Sequence, residues 1–200
     1  MKTYFTSDTH YGHKNIIKYS PTREKIIPEY LRDKLKLEVH PSEVITAMDE
    51  ALIANHNAIV QPDDVIYNLG DFTFHKDTNK IDEIFHRLNG EKHLIVGNHD
   101  SPYVLNLPWK SKSFLKEVHV DGRRIVLCHY AMRVWNKSHH GALQLYGHSH
   151  GSLPGSTQSV DVGVDGFAQY FPVNLEQILR EMKSLRAYSC EDHHGKSGRP

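Results

Sequence analysis

Five short stretches of this chain place residues that can hold a cation or move a proton directly after strand-like runs. They are Asp8-Thr9-His10, Gly70-Asp71, Gly97-Asn98-His99-Asp100, Cys128-His129-Tyr130 and Gly147-His148-Ser149-His150. The third is the most telling. It follows residues 92–96, Lys-His-Leu-Ile-Val, a run that reads as a buried strand. A Gly and an Asn after a strand permit a sharp turn, because both tolerate unusual backbone angles. The turn then offers an amide oxygen, an imidazole and a carboxylate at the strand's carboxyl end, where α/β sheets build their sites. Asp8 and His10, two apart in an extended stretch, share one face. An Asn-His pair alone is ordinary loop chemistry; five such strand ends in one chain are not.

Asp8, His10, Asp71, Asn98, His129, His148 and His150 are hard-to-borderline nitrogen and oxygen ligands. Seven are too many for one ion, since such sites take three or four protein ligands each. With one shared carboxylate they would serve two ions ~3.5–4 Å apart, the spacing of bimetallic hydrolases. No Cys is needed, which disfavours a structural zinc site. Imidazole-rich sets suit divalent transition metals, manganese foremost with iron, nickel or zinc as alternatives, better than calcium. Two such cations can neutralise phosphate oxygens and make a hydroxide from water near neutral pH, while a nearby imidazole protonates the departing alkoxide. The chain has no Gly-x-Ser-x-Gly for serine chemistry and no Gly-rich phosphate loop.

Composition sets bounds on the rest. Two hundred residues suffice for one domain with a real core. Lys+Arg and Asp+Glu balance at 24 each, so no basic field argues for a long nucleic-acid track. Two Cys make no disulfide framework, and no signal peptide or long apolar stretch is visible. The expectation is a soluble, cytoplasmic protein with no membrane partner. One domain is expected over 1–188, with a surface excursion at 20–41, where Pro21, Pro28 and Pro41 break a charged segment, and a flexible tail at 189–200.

The elements that must position the candidate residues follow from pattern. Strands are predicted at 3–7, 65–69, 92–96, 143–146 and 159–164. Residues 114–120 and 123–127 flank Asp121-Gly122, a hairpin signal. Residues 13–17 look like a short helical turn. Helices are predicted from Ser42 as N-cap to about Val60, from about Asn79 to Leu88, and after an Asn174/Gln177 capping box. Strands alternate with helices in the first half and dominate the second, which suggests two packed sheets flanked by helices.

Taken together, the five motifs resemble those of the calcineurin-like metallophosphoesterase superfamily, across most of the chain. The resemblance implies an α/β (α+β) fold, a four-layer αββα sandwich of two mixed sheets with metals at one edge. It implies that Asp8, His10 and His150 hold one ion, that Asn98, His129 and His148 hold the other, and that Asp71 bridges them. It also implies that His99 approaches the leaving oxygen, oriented by Asp100. Gly70-Asp71 leads into Phe72-Thr73-Phe74-His75 rather than the Asp-Arg pair of the protein Ser/Thr phosphatases, so a phosphoprotein substrate is not expected. The start, Ser7-Asp8-Thr9-His10 with Gly12-His13-Lys14-Asn15-Ile16-Ile17, is similar to a small phage and bacterial branch. The expected activity is hydrolysis of a small, nucleotide-like phosphodiester. A phosphomonoesterase, a short-range nuclease and a non-catalytic scaffold are the alternatives.

Other residues carry two readings. His13, Lys14 and Asn15 could grip a substrate phosphate or be solvated helix-start residues. Arg133 could clamp phosphate or form a surface ion pair. Tyr130 and Trp135 could stack a nucleobase, though core packing is the commoner use. Cys128 is expected to be a buried apolar residue, facing away from His129. Asp161 and Asp165 read as structural, and His139-His140 and His193-His194 as exposed.

Overall fold

The computed structural model describes residues 1–36 and 41–189. In chain order the elements are β1 (Thr3–Thr6), α1 (Ile16–Tyr19), α2 (Ser42–Ile59), β2 (Val65–Asn68), α3 (Thr78–Arg87), β3 (Glu91–Ile95), α4 (Pro102–Asn106), β4 (Ser111–Ser113), β5 (Leu115–Val120), β6 (Arg123–Cys128), β7 (Leu143–Tyr146), β8 (Ser159–Asp161), β9 (Val173–Asn174) and α5 (Leu175–Met182). Short 3-10 helices lie at Pro21–Ile26, Glu29–Lys36 and Ser138–His140.

Two mixed sheets form. The first runs β4-β3-β2-β1-β9, parallel except for β9. The second runs β5-β6-β7-β8, with β5 antiparallel to the other three. Pairing of Thr6 with Asn68 and of Asn68 with Leu94 brings the carboxyl ends of β1, β2 and β3 level. Everything those strands deliver therefore emerges at one edge.

The alternation of each strand sorts its side chains between two cores. Phe5, Leu69 and Ile95 point toward the second sheet and pack with Ile125, Leu127, Leu143, Leu145 and Val160. Leu94 points the other way, into a helix-side core with Val44, Met48 and Leu52 of α2 and Ile81, Ile84 and Phe85 of α3. The spacing of those helical residues puts them on one stripe each. α5, with the expected Asn174/Gln177 capping box, buries Leu175, Ile178 and Met182 against the inter-sheet core. The outer face of the second sheet is covered by the 130–142 segment, where Trp135 packs on Val126 and Ala142.

Most of the predicted elements are present, and the differences have local causes. Ser42 opens α2 but sits inside it, Pro41 standing at the cap position. α3 is capped instead by Asp77, whose side chain accepts the Asn79 N–H. β4, β9 and α4 were not anticipated: two to five residues carry too little periodicity to be read. In the expected 20–41 excursion Tyr30 is exposed, yet Arg23, Ile27 and Leu31 are buried, so the segment is anchored in the core. Residues 37–40 of it, and the expected tail from residue 190 onward with His193-His194, lie outside the described residues. Cys128 is half-buried rather than buried, because it ends β6 opposite the exposed Leu115. Among the described residues no helix is long and apolar enough to cross a membrane.

Candidate metal centre

The loops that follow β1, β2, β3, β6 and β7 meet at the common edge, and main-chain bonds knit them. Asp8 N donates to Gly70 O at 3.0 Å, His10 N to Asp71 O at 3.1 Å, and Gly147 N to His129 O at 3.0 Å. Asp8, His10, Asp71, His148 and His150 all adopt the left-handed backbone region, with φ between 48° and 66°. Such conformations cost on the order of 1–3 kcal/mol each in a non-glycine residue, and they persist only where the surroundings impose them. Gly97 and Gly147 make the close approach possible: a Cβ on the first would collide with the Asp71 carboxylate, and on the second with Ser7 and Asp8.

Two clusters result. Asp8, His10 and His150 bring ligand atoms within 4.8 Å of one another, and so do Asp71, His129 and His148. Asp71 Oδ2 links them, 3.6 Å from Nε2 of His10 and 3.6 Å from Nε2 of His129. Asn98 Oδ1 lies 3.0 Å from His129 Nε2 and 3.0 Å from His148 Nδ1. All seven residues singled out as ligands thus converge.

The donor set fits a cation. Asp8 Oδ1 and both ring nitrogens of His10 are buried without any hydrogen-bond partner, a burden of roughly 1–3 kcal/mol per group if nothing satisfies them. His129 Nδ1 lies 2.6 Å from the Leu69 carbonyl, which can only accept, so Nδ1 carries the hydrogen. In the neutral ring Nε2 is then an acceptor, and it faces the Asn98 and Asp71 oxygens. Acceptors converging on acceptors is the arrangement a cation resolves.

Electrostatics follow from burial and these neighbours. Burial opposes ionisation of Asp8, but the imidazoles of His10 and His150 outweigh it and lower its pKa. Burial lowers the pKa of His10. His150 is also pushed down by burial, yet Asp165 and Asp8 raise it overall. Its Nδ1 donates to Asp165 Oδ2 at 2.6 Å.

Around the clusters, His99 is exposed, its ring centre 4.9 Å from that of Phe74 and 6.0 Å from that of His10, while its N–H donates to Asp71 Oδ1 at 2.9 Å. Asp100 does not orient the His99 ring as expected. Its carboxylate accepts the main-chain N–H groups of Gly97 (2.8 Å), Phe72 (2.9 Å) and Asp71 (3.1 Å), tying the β2 and β3 loops together. His13 packs on Phe74 with ring centres 4.1 Å apart, and burial with the nearby His10 pushes its pKa to about 4. Asp49 of α2 anchors the same loop, accepting Gly12 N–H at 2.9 Å and contacting His75 Nε2 at 2.8 Å. Asn15 is exposed, and its N–H donates to His13 Nδ1. Arg133 lies exposed on the segment covering the second sheet, where Tyr188 bonds its carbonyl. Tyr130 is exposed beside His148, ring centres 4.8 Å apart, whereas Trp135 is core. Asp161 accepts the N–H groups of Gly151 and Gly163, a structural use. Arg23, Asp49 and Phe74 carry no signal in the sequence; Asp165, read as structural, bonds Arg23 and His150.

No family model matches the chain. An uncharacterized protein of Methanocaldococcus jannaschii is 28% identical over 187 residues, covering 90% of both chains. The Gene 66 protein of Mycobacterium phage D29 is 25% identical over 211 residues, covering 90% of this chain and 94% of its own. A solved protein of unknown function from Aquifex aeolicus shares the fold at a TM-score of 0.62 and 24% identity, over 90% of this chain and 98% of that one. An archaeal phosphodiesterase aligns at a TM-score of 0.43 and 15% identity, over 88% and 95%.

Proposed function

We propose that this chain is a two-metal phosphoesterase of the calcineurin-like kind, acting as a phosphodiesterase on a small nucleotide-like substrate. One observation carries the reading: Asp71 Oδ2 stands 3.6 Å from His10 Nε2 and from His129 Nε2, midway between two ligand clusters. Asp8, His10 and His150 would hold one divalent ion, Asn98, His129 and His148 the other, with Asp71 common to both. When bound, such a pair, manganese foremost, supplies charge neutralisation at phosphate and an acidified water.

The chain's own groups do the rest. His99 extends an exposed imidazole from the loop that Asp71 and Asp100 hold, and gives a proton to the departing oxygen. Phe74 braces His99 and His13 with its ring. His13, with Asn15 beside it, binds a non-reacting phosphate oxygen. Tyr130 offers an exposed aromatic face for a base.

The test is purified protein with manganese against mononucleotides, cyclic nucleotides, dinucleotides and single-stranded DNA. Turnover abolished by chelation and restored by manganese, greatest on a small diester, is expected. Undiminished hydrolysis after exhaustive metal removal would end this reading.

A further inference from the structure

Arg23 is the largest fully buried side chain among the described residues, a position Arg almost never occupies unless paired. The four hydrogen bonds it donates run to Asp8, Thr9 and Asp165, beside the candidate ligands. Nε donates to Asp165 Oδ1 at 2.7 Å and Nη2 to Asp165 Oδ2 at 2.9 Å. Nη2 also donates to the Asp8 carbonyl at 2.6 Å and Nη1 to the Thr9 carbonyl at 2.9 Å. The Asp165 oxygen that takes Nη2 also accepts His150 Nδ1 at 2.6 Å, with Ser20 Oγ 3.4 Å from the same nitrogen.

We propose that Arg23 is a positioning residue for the Asp8/His10/His150 ion site. Through Asp165 it sets the ring angle of His150 and keeps the hydrogen on Nδ1, leaving Nε2 free to ligate. Through the carbonyls of Asp8 and Thr9 it holds the Asp8–His10 turn, where both ligands have left-handed backbone. One guanidinium thereby couples ligands that are more than a hundred residues apart in the chain. Asp165 cancels its charge, so an ion in the site meets a neutral pair rather than a bare cation. Stability alone gives little reason for the arrangement, since a buried ion pair often does no better than apolar residues of the same volume. Lys could not replace it, having no planar fork to reach a carboxylate and two carbonyls at once.

The inference rests on the two-metal reading, and its test separates the two. Metal-free wild type, Asp165→Asn and Arg23→Lys are titrated calorimetrically with manganese, each also in a His148→Ala background that leaves the Asp8/His10/His150 cluster whole. Both variants should fold and bind the first ion ~10–100-fold more weakly, the usual effect of removing a ligand's supporting partner. Affinity at the His129/His148 site should stay as in wild type. The 15N shifts of the His150 ring should show loss of the fixed Nδ1–H form in Asp165→Asn. Unchanged first-ion affinity in both variants would overturn this inference alone. Wild type that binds no ion would overturn the two-metal reading and this with it. Variants that cannot fold without metal would also overturn it, making the pair a determinant of the fold instead.

Discussion

Asp71 Oδ2 lies 3.6 Å from His129 Nε2, just beyond hydrogen-bond reach. The same oxygen stands equally far from His10 Nε2. In the proposed two-metal site a carboxylate in that position would serve both clusters at once, so its charge should matter to both ions. Asp71→Asn keeps the shape and the bond from His99 N–H to Oδ1. It should leave the fold intact and weaken both ions together. Losing an outer-shell partner typically costs ~10–100-fold in affinity, and a shared ligand should cost at least about as much. Metal analysis showing two tightly held ions per variant chain would contradict the bridge.

Asp100 makes a different prediction from the one its place in Gly97-Asn98-His99-Asp100 suggests. Both of its oxygens are taken by main-chain N–H groups of two loops, and burial raises its pKa against the pull of those bonds. Asp100→Ala would strand three donors, each worth roughly 1–3 kcal/mol when unsatisfied. The metal-free variant should therefore lose several kcal/mol in denaturant unfolding. His99→Ala, whose ring is exposed, should lose almost nothing in the same measurement. Equal stabilities of wild type and Asp100→Ala would show that the carboxylate is not the clasp.

The residues that converge in the two clusters were legible in the sequence, and the groups that hold them in place were not. Asp8, Asp71, His129 and His148 announce themselves because each follows a strand and carries a chemistry its neighbours lack. Asp165 and Arg23 meet across 142 residues, and no spacing rule links them. Arg23 sits among charged residues between prolines, a setting that reads as surface. Nor does local sequence reveal that Asp100 faces N–H groups rather than an imidazole, since that depends on how closely the β2 and β3 loops approach. The long elements were legible from periodicity; the three-residue β4 and two-residue β9 take their strand character from pairing alone.

His56 supplies a pH dependence away from the candidate centre. It lies buried in the last turn of α2, its Nε2 2.9 Å from the Asn89 carbonyl, and burial pushes its pKa to about 4, the carbonyl offsetting only part. The unfolded chain, near 6.5, binds the proton first as pH falls. His56 therefore contributes full stability above about pH 6.5, loses it progressively on acidification, and has lost all of it below about pH 4. The gap corresponds to about 3 kcal/mol in total. Metal-free wild type should lose about 2 kcal/mol more between pH 7 and 4.5 than His56→Gln does. Parallel pH profiles of the two unfolding free energies would refute this.

The last prediction separates proton transfer from metal binding and concerns His99. Its imidazole is exposed, braced at 4.9 Å by Phe74, and only its main-chain N–H is engaged with Asp71. It belongs to neither cluster, and in the proposed mechanism it reaches the leaving group. A general acid helps most when the departing oxygen is basic. A nitrophenolate leaves easily without help; a nucleoside alkoxide does not. His99→Ala should retain both ions and lose much more turnover on a dinucleotide than on a bis-nitrophenyl ester. General acid catalysis is typically worth ~10²–10⁴-fold, so the two losses should differ by at least about tenfold. Equal losses with both ions retained would make His99 a stabiliser of transition-state charge. Loss of an ion would make it a ligand, which its exposed position beyond both clusters argues against.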